Sequence, residues 1–240
     1  MVVAHRGETD PAIEDHVDGV VWVRLGQLGR IREALVDADV SEVCLAGGLR
    51  KVRFFRDARP DSLALKVLAK IAADKGDDKL LRGVAAIFEE AGIRVVPPTE
   101  IAPSLLCPQG VLGRYKPSRQ QEKDIQLGFQ VVRALGQLDI GQAVVVKEGV
   151  VLALEAADGT DAAIERGCDL GGGAVVVVKA SKPCQDLRFD QPAVGPTTIS
   201  TLVASGGGGV LALEAGRTLL IDRDDLLVAA DAAGVSLVGL

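Results

Sequence analysis

The sequence predicts an α/β protein of two domains, in which parallel sheets are covered by helices. Of its 240 residues, 48% are hydrophobic but only 3% are aromatic, so the core must be built from Val, Leu, Ile and Ala. That composition is typical of parallel sheets packed against Ala-rich helices. Short apolar runs alternate with amphipathic stretches, which favours a parallel sheet. A segment with five prolines, residues 97–122, favours a domain boundary near the middle of the chain.

Four apolar runs in the first half predict strands, and three runs with helical apolar spacing predict helices. The predicted strands are residues 2–4, 19–25, 41–48 and 93–96. The predicted helices are residues 28–38, 62–73 and 79–91. Asp77 and Asp78 would cap the last helix and complement its dipole, and Gly92 would end it.

The second half repeats this alternation and adds a hairpin. Its predicted helices are residues 122–138, 160–166, 197–205 and 223–233. Its predicted strands are residues 143–146, 150–154, 174–178, 210–214, 218–221 and 235–238. The first two strands are separated by Lys147-Glu148-Gly149 and read as a hairpin. Thr160 would cap its helix, with Asp161 in the first turn. We therefore expect domains at 1–104 and 122–240, joined by a linker at 105–121.

Charge and cysteine usage exclude several classes of protein. A net charge of −6 and a pI near 5.1 argue against a nucleic-acid partner. Four cysteines without a C-x-x-C pair, and two histidines, argue against a zinc site or a disulfide framework. The first residues are too polar for a signal peptide, and no apolar run reaches membrane-spanning length. We expect a soluble, cytosolic protein.

Residues 155–196 hold the densest group of charged and amide side chains. The apolar run 174–178 should be a strand covered on both faces, and polar residues follow its carboxyl end, where open α/β sheets bind ligands. They are Lys179, Lys182, Gln185, Asp186, Arg188 and Asp190. Lysine and arginine beside carboxylates suit an anionic, phosphorylated substrate with a divalent cation. A solvated loop with surface ion pairs is the alternative.

A second candidate site lies in the first half. The pair Gly47-Gly48 and the turn from Lys75 to Asp78 occur where an α/β sheet would hold a nucleotide, although glycine also closes ordinary strand-to-helix turns. The sequence contains neither G-x-G-x-x-G nor G-x-x-x-x-G-K-[ST], so no motif supports a dinucleotide site or an ATP-type P-loop. A dehydrogenase is therefore disfavoured.

Six segments occur in the order found in a known family. They are KGDDKLLR (75–82), LDIGQAVVV (138–146), EAADGTD (155–161), KPCQDLRFD (182–190), VGPTTI (194–199) and EAGR (214–217). Together they make the chain resemble the LpxI-type UDP-2,3-diacylglucosamine pyrophosphatases of lipid A biosynthesis. Each segment alone would be a weak signal.

The resemblance implies both a fold and a reaction. The fold would be an N-terminal Rossmann-like domain that binds the UDP-sugar, here without its first strand and Gly-rich turn, and a C-terminal α/β catalytic domain. The protein would be a homodimer with substrate between the domains. The reaction would be Mg²⁺-dependent hydrolysis of the pyrophosphate of UDP-2,3-diacylglucosamine, releasing UMP and 2,3-diacylglucosamine 1-phosphate (lipid X). The substrate is an amphiphile, so the cytoplasmic protein would transiently meet the inner-leaflet membrane surface.

The resemblance also implies roles for individual residues. Asp190 closes the motif K-P-x-Q-[DE]-x-R-x-D, whose last aspartate is essential in the family. The expected catalytic residues are Asp190, Lys182 and Arg188. The expected metal ligands are Asp190, Glu155 and Asp161. The expected substrate-binding residues are Gly47, Gly48, Lys75, Asp77, Asp78, Gln142, Thr160, Lys179 and Gln185.

Simpler roles remain open for several of these residues. The charged residues of the 155–196 segment could form ion pairs that only order the loop, and this is the expectation for Asp186. Asp139 and Gln142 could line the site or merely turn the chain. At the level of the whole chain, the alternative to a hydrolase is a non-catalytic module that binds a nucleotide-sugar or a lipid.

Overall fold

The computed structural model describes residues 1–47, 58–71, 77–183, 185–206 and 208–240, except for the side chains of residues 70, 71 and 77–79. These residues form two compact units, Met1–Ile101 and Ala102–Leu240. Both units combine helices and strands, as the sequence predicts. Within the described residues, no helix is both long enough and apolar enough to cross a membrane.

The first unit is built on two pairs of parallel strands. Its elements are β1 (Val2–His5), a 3₁₀ helix (Pro11–His16), β2 (Val20–Val23), α1 (Leu28–Asp37), β3 (Glu42–Cys44), α2 (Ser62–Ile71), α3 (Asp77–Glu90), β4 (Arg94–Val96) and α4 (Pro98–Ile101). Val2 aligns with Val20 in the β1–β2 pair, and Glu42 aligns with Arg94 in the β3–β4 pair. The predicted parallel pairing is confirmed, although the described residues form two separate pairs and not one continuous sheet.

One carboxylate joins two helices of this unit. Asp61 Oδ1 accepts hydrogen bonds from Leu63 N at 3.1 Å and Ala64 N at 2.9 Å, which caps the start of α2. Asp61 Oδ2 accepts from Gly29 N on α1 at 2.7 Å. A Cβ atom at Gly29 would lie 3.0 Å from that oxygen, so glycine leaves the room this contact needs. Asp61 therefore both starts α2 and fastens it to α1.

The second unit is organised around a six-stranded mixed sheet. After a 3₁₀ helix (Pro103–Leu105), its elements are β5 (Gly110–Val111), α5 (Arg119–Gln137), β6 (Ala143–Lys147), β7 (Val150–Leu154), α6 (Thr160–Gly171), β8 (Val176–Lys179), β9 (Ala193–Val194), α7 (Pro196–Ala204), β10 (Gly209–Leu213), β11 (Leu219–Leu220), α8 (Arg223–Ala232) and β12 (Val235–Gly239). The strand order is β5-β12-β10-β8-β6-β7. Strands β8, β10 and β12 are parallel, β6 is antiparallel to β7 and β8, and β9 pairs in parallel with β11.

Helices cover both faces of this sheet, as its apolar strands predict. Val145, Val177 and Leu211 face a core that also holds residues of α6, α7 and α8. Alternate residues, including Val144 and Val178, face a second core built with α5. Because successive side chains of a strand point to opposite faces, a strand buried on both sides must be apolar throughout.

Several boundaries differ from those predicted. The segment 105–121, expected as a linker, contains β5, which pairs with β12. Strand β9 has two residues, too few for a periodic signal. Thr160 does not cap α6, since Gly159 is the N-cap residue and Thr160 is the first helical residue. The left-handed φ of 87° at Gly159 suits glycine. The Thr160 hydroxyl instead donates to Glu155 Oε1.

The predicted β6–β7 hairpin is confirmed, and a buried carboxylate holds its turn. Glu148 and Gly149 both have positive φ, as tight hairpin turns require. Asp124, on α5, is 2% exposed. Its oxygens accept hydrogen bonds from Glu148 N at 2.9 Å and Gly149 N at 2.8 Å. The turn is thereby tied to the helix that covers the sheet.

Asp124→Ala should therefore lower the free energy of unfolding by about 2 kcal/mol, because two backbone donors lose a charged acceptor. Chemical denaturation followed by circular dichroism measures this change. Gln126→Ala, at an exposed position of the same helix, is the matched control and should change stability by less than about 0.5 kcal/mol. An Asp124→Ala protein as stable as the wild type would show that the hairpin does not depend on this carboxylate.

Candidate active site

Strand register collects polar residues at one edge of the second unit's sheet. Ala143 at the start of β6 aligns with Lys179 at the end of β8, and Lys179 aligns with Leu213 at the end of β10. Val144 aligns with Leu154 at the end of β7. The residues next to these strand ends therefore share an edge, which we call the polar edge and define by Gln142, Glu155, Lys179 and Glu214.

Glu155 is held firmly at the polar edge. It is 8% exposed, and its Oε1 accepts from Thr160 Oγ1 at 3.1 Å while its Oε2 accepts from Gln142 N at 3.2 Å. A Cβ atom at Gly141 would lie 2.2 Å from Glu155 O, so a residue without a side chain is required there. Glu155, Thr160 and Gln142, predicted separately as site residues, thus form one hydrogen-bonded group.

Lys179 places a cation inside the polar edge. It is 7% exposed, and its Nζ donates to Ala193 O at 3.0 Å. Burial lowers the pKa of the Lys179 ammonium, while the negative charges of Glu155, Asp161 and Asp190 oppose that shift. The three carboxylates predicted as metal ligands therefore act on one buried lysine.

The segment after β8 carries the predicted catalytic residues. Lys182 N donates to Gln185 Oε1 at 2.9 Å, and Gln185 Nε2 lies 3.5 Å from Gln142 Oε1. Lys182 Nζ forms an ion pair with Asp139 Oδ1 at 2.7 Å, and the Asp139 side chain is 86% exposed. Asp139 therefore contacts a candidate catalytic lysine from the loop after α5.

Asp186 and Arg188 are paired with each other. Arg188 Nε and Nη2 donate to the two carboxylate oxygens of Asp186 at 3.0 Å and 2.8 Å. The guanidinium also lies over the ring of Phe189, 4.9 Å from its centroid. This two-point contact orders the loop that leads to Asp190.

Asp190 ends that loop with an exposed side chain. Its backbone N donates to Asp186 O at 3.2 Å, which closes the turn. Among the described residues, no hydrogen bond or ion pair engages the Asp190 carboxylate. It is therefore an anion at the polar edge that is open to solvent and to a ligand.

In the described part of the chain, no three His, Cys, Asp or Glu side chains come together as a ready-made metal site. Glu155, Asp161 and Asp190 thus do not form a three-ligand set, and both oxygens of Glu155 accept protein hydrogen bonds. Mg²⁺ commonly needs only one or two carboxylates, because substrate phosphates and water complete its shell. Asp190 and Asp161 are both exposed, so their carboxylates are accessible from solvent.

A further polar group, for which no role was predicted, lies at this edge. Ser181 is 7% exposed, and its Oγ and N both contact Glu214 Oε2, at 2.5 Å and 2.9 Å. Arg217 Nη1 donates to Ser181 Oγ at 3.0 Å. Two sequence features could have identified this group. They are the EAGR segment and the position of Ser181 between Lys179 and Lys182, two predicted site residues.

The predicted nucleotide-binding residues belong to the first unit. Gly47 has a φ of 83°, and a Cβ atom there would meet nothing within 4 Å. Gly48 and Lys75 lie outside the described residues. Asp77 and Asp78 open α3, but their side chains are not among those described. Their predicted role in substrate binding stays a prediction.

Both halves of the chain match models of one family. The LpxI N-terminal domain matches residues 1–105, and the LpxI C-terminal domain matches residues 108–238. The chain belongs to the LpxI family. This confirms the resemblance carried by the six sequence segments. The match to the LpxI C-terminal domain includes every residue of the polar edge.

A full-length relative agrees with the family assignment. A protein of Caulobacter vibrioides named UDP-2,3-diacylglucosamine pyrophosphatase LpxI is 38% identical over 249 residues. The alignment covers 100% of this LpxI chain and 88% of the relative. The similarity therefore extends over both domains and is not confined to the polar edge.

The buried Lys179 predicts a pH effect on stability. Its pKa is below the usual 10.5 in the folded protein and returns to that value on unfolding, so the unfolded chain binds more protons between the two values. Stability should therefore rise with pH through that window. As the pH rises towards 10.5, the free energy of unfolding of the wild type should increase relative to that of Lys179→Met.

Urea titrations of both proteins at several pH values measure this difference. Lys123→Met is the control, because Lys123 is exposed on α5. The free energy of unfolding of the wild type should show no comparable pH-dependent increase relative to this variant. If the free energies of unfolding of the wild type and of Lys179→Met changed equally with pH, the lowered pKa of Lys179 would be contradicted.

Proposed function

We propose that this chain hydrolyses the pyrophosphate of UDP-2,3-diacylglucosamine to UMP and 2,3-diacylglucosamine 1-phosphate (lipid X), a step of lipid A biosynthesis. The observation that carries the proposal is the 38% identity, over the whole chain, to a protein named for this substrate and bond. The residues beside the polar edge support it, because the exposed carboxylate of Asp190 accompanies the cationic side chains of Lys182 and Arg188. Phosphoryl transfer requires such positioned charges.

The reaction adds water to one phosphorus and breaks the bridging phosphorus–oxygen bond, so negative charge builds up on the phosphoryl and leaving oxygens. Lys182 and Arg188 are positioned by Asp139 and Asp186, and both would bind those oxygens. Asp190 would orient the attacking water or hold a metal ion. Pyrophosphate hydrolysis needs positioned charge more than covalent chemistry, which suits such a set of residues.

We propose Mg²⁺ as the cofactor, held by Asp190 and Asp161 together with substrate oxygens. When bound, the ion would neutralise charge on the pyrophosphate. Glu155 would then serve a different purpose from the ligand role predicted for it. Its two hydrogen bonds and its charge would hold Thr160, Gln142 and the Lys179 ammonium in place.

The first unit would bind the nucleotide-sugar through Gly47, Gly48, Lys75, Asp77 and Asp78. We further propose a homodimer in the cytoplasm that meets the inner-leaflet membrane surface transiently, because the substrate is an amphiphile.

Asp190→Asn should reduce kcat by at least about a hundredfold, because it removes the negative charge needed to orient water or bind a metal ion. The substrate dissociation constant should change little, since the cationic residues are intact. Release of UMP, calorimetric titration of substrate and the melting temperature measure the three quantities. Asp169→Asn, exposed on α6, is the control.

The alternative functions make different predictions for the same experiment. Near-normal turnover of Asp190→Asn would disprove the role of Asp190. Substrate binding by the wild type without any UMP release would instead favour a non-catalytic binding module. Loss of folding in Asp190→Asn would point to a structural role.

Chelation should abolish turnover, and added Mg²⁺ should restore it. Asp161→Asn should raise the Mg²⁺ concentration that gives half-maximal turnover by about tenfold, because Mg²⁺ at such sites relies on few carboxylates. Glu165→Gln, at an exposed position of the same helix, is the control. Full activity in the presence of EDTA would exclude the proposed cofactor.

A further inference from the structure

The EAGR segment, residues 214–217, contains none of the predicted site residues. It follows β10, whereas Ser181 follows β8, and these neighbouring strands are parallel with Leu213 aligned to Lys179. Both segments therefore leave the sheet at the polar edge. This brings Glu214 and Arg217 close to the segment that follows β8, although more than thirty residues separate Glu214 from Ser181 in sequence.

A buried serine connects Glu214 to Arg217. Ser181 Oγ donates its single proton to Glu214 Oε2 at 2.5 Å and accepts from Arg217 Nη1 at 3.0 Å. Ser181 N donates to the same Glu214 oxygen at 2.9 Å, which fixes that carboxylate against the backbone. Because the hydroxyl has only one proton, its bond to Glu214 leaves its lone pairs for the arginine. Glu214 thus orients Arg217 through Ser181.

A second contact holds Arg217 beside the Asp190 segment. Gln191, the residue after Asp190, donates from Nε2 to Arg217 O at 2.9 Å. Leu219 N donates to Pro192 O at 2.8 Å, where the β9–β11 pair begins. The loop that carries Arg217 is therefore bonded to the loop that carries the proposed catalytic aspartate.

This cluster has hydrogen-bonding capacity that the protein does not use. Among the described residues, no carboxylate forms an ion pair with the Arg217 guanidinium, and Ser181 takes up one of its N–H groups. The buried atoms Gln191 Oε1 and Thr218 Oγ1 likewise have no hydrogen-bond partner in the described part of the chain. Buried polar atoms are normally satisfied, so each exception calls for an explanation, and a ligand-binding role is one such explanation.

We propose that Arg217 is a substrate-binding residue that donates hydrogen bonds to phosphoryl oxygens of the pyrophosphate, and that Ser181 and Glu214 position it. A guanidinium presents several donors in one plane and matches a phosphate better than a lysine does. It remains charged throughout the accessible pH range, so it can stabilise both bound substrate and the charge that develops during hydrolysis. This inference rests on the proposed function and assigns a further residue to the same site.

Steady-state kinetics of Arg217→Gln tests the binding role. The value of kcat/KM should fall at least about tenfold, because charge-assisted hydrogen bonds to phosphate are lost. The melting temperature should be unchanged, since Arg217 is exposed. Arg114→Gln is the matched control. Its side chain is 82% exposed and binds Asp231 near the end of α8, away from the polar edge, so its kcat/KM should stay within about twofold of the wild type.

A double-mutant cycle tests the positioning role. Ser181→Ala should lower kcat/KM by about three- to tenfold in the wild-type background and cause no further loss in Arg217→Gln, since both residues act through one interaction. Glu214→Gln should behave in the same way. Equal losses in both backgrounds would show that Ser181 and Glu214 do not act through Arg217 and would overturn that part of the proposal.

Direct binding separates this inference from the proposed function. If the wild type hydrolyses the substrate and Arg217→Gln keeps its kcat/KM, this inference fails while the proposed function stands. If the wild type shows no turnover, the proposed function fails, and calorimetric titration of inorganic pyrophosphate tests Arg217 alone. Binding that weakens at least about tenfold in Arg217→Gln supports the anion-binding role, whereas equal binding or no binding by the wild type overturns it.

Discussion

The burial of one lysine ammonium constrains the whole polar edge. Strand β8 is covered on both faces, so Lys179 at its end is almost completely excluded from water. A buried charge is strongly unfavourable unless polar groups compensate it, and here the Ala193 carbonyl and the charges of Glu155, Asp161 and Asp190 do so. The bond to Ala193 also fixes the end of the loop that carries Asp190. The arrangement of this edge therefore depends on a buried cation.

Two carboxylates next to strand ends perform similar tasks on either side of Lys179. Glu155, after β7, binds Gln142 N and Thr160 Oγ1. Glu214, after β10, binds the backbone and hydroxyl of Ser181. Each joins its strand end to a neighbouring segment through hydrogen bonds to a charged acceptor, which are stronger than those between neutral groups. The anchored segments leave the Asp190 carboxylate exposed and, among the described residues, without a protein hydrogen bond.

The residues that hold the edge and those proposed to act on substrate differ in exposure. Glu155, Lys179 and Ser181 are buried, whereas Asp190 and Arg217 are exposed. A rigid inner layer that orients an outer layer is the arrangement that charge stabilisation in catalysis requires.

Sequence alone determined the α/β class, the placement of most helices and strands, and the motif that ends at Asp190. Long apolar runs and helical spacing are local properties, so they predicted α5, the β6–β7 hairpin and the two-sided burial of β8. Short elements such as β5 and β9 exist because of their partners β12 and β11, and local patterns could not predict them. The same limit applied at the first residue of α6, where Gly159 is the N-cap residue and the Thr160 hydroxyl binds Glu155.

Only the tertiary structure decided which polar residues meet. The alignment of Lys179 with Leu213 brings Ser181 to Glu214, a contact between residues 33 positions apart. Strand register over such distances is set by packing of both sheet faces and not by any local signal. Burial decided the rest, because it made Glu155 and Lys179 internal supports and left Asp190 and Arg217 exposed to a ligand. The sequence shows which charged residues are present. The tertiary structure decides which of them are buried and which stay exposed to water.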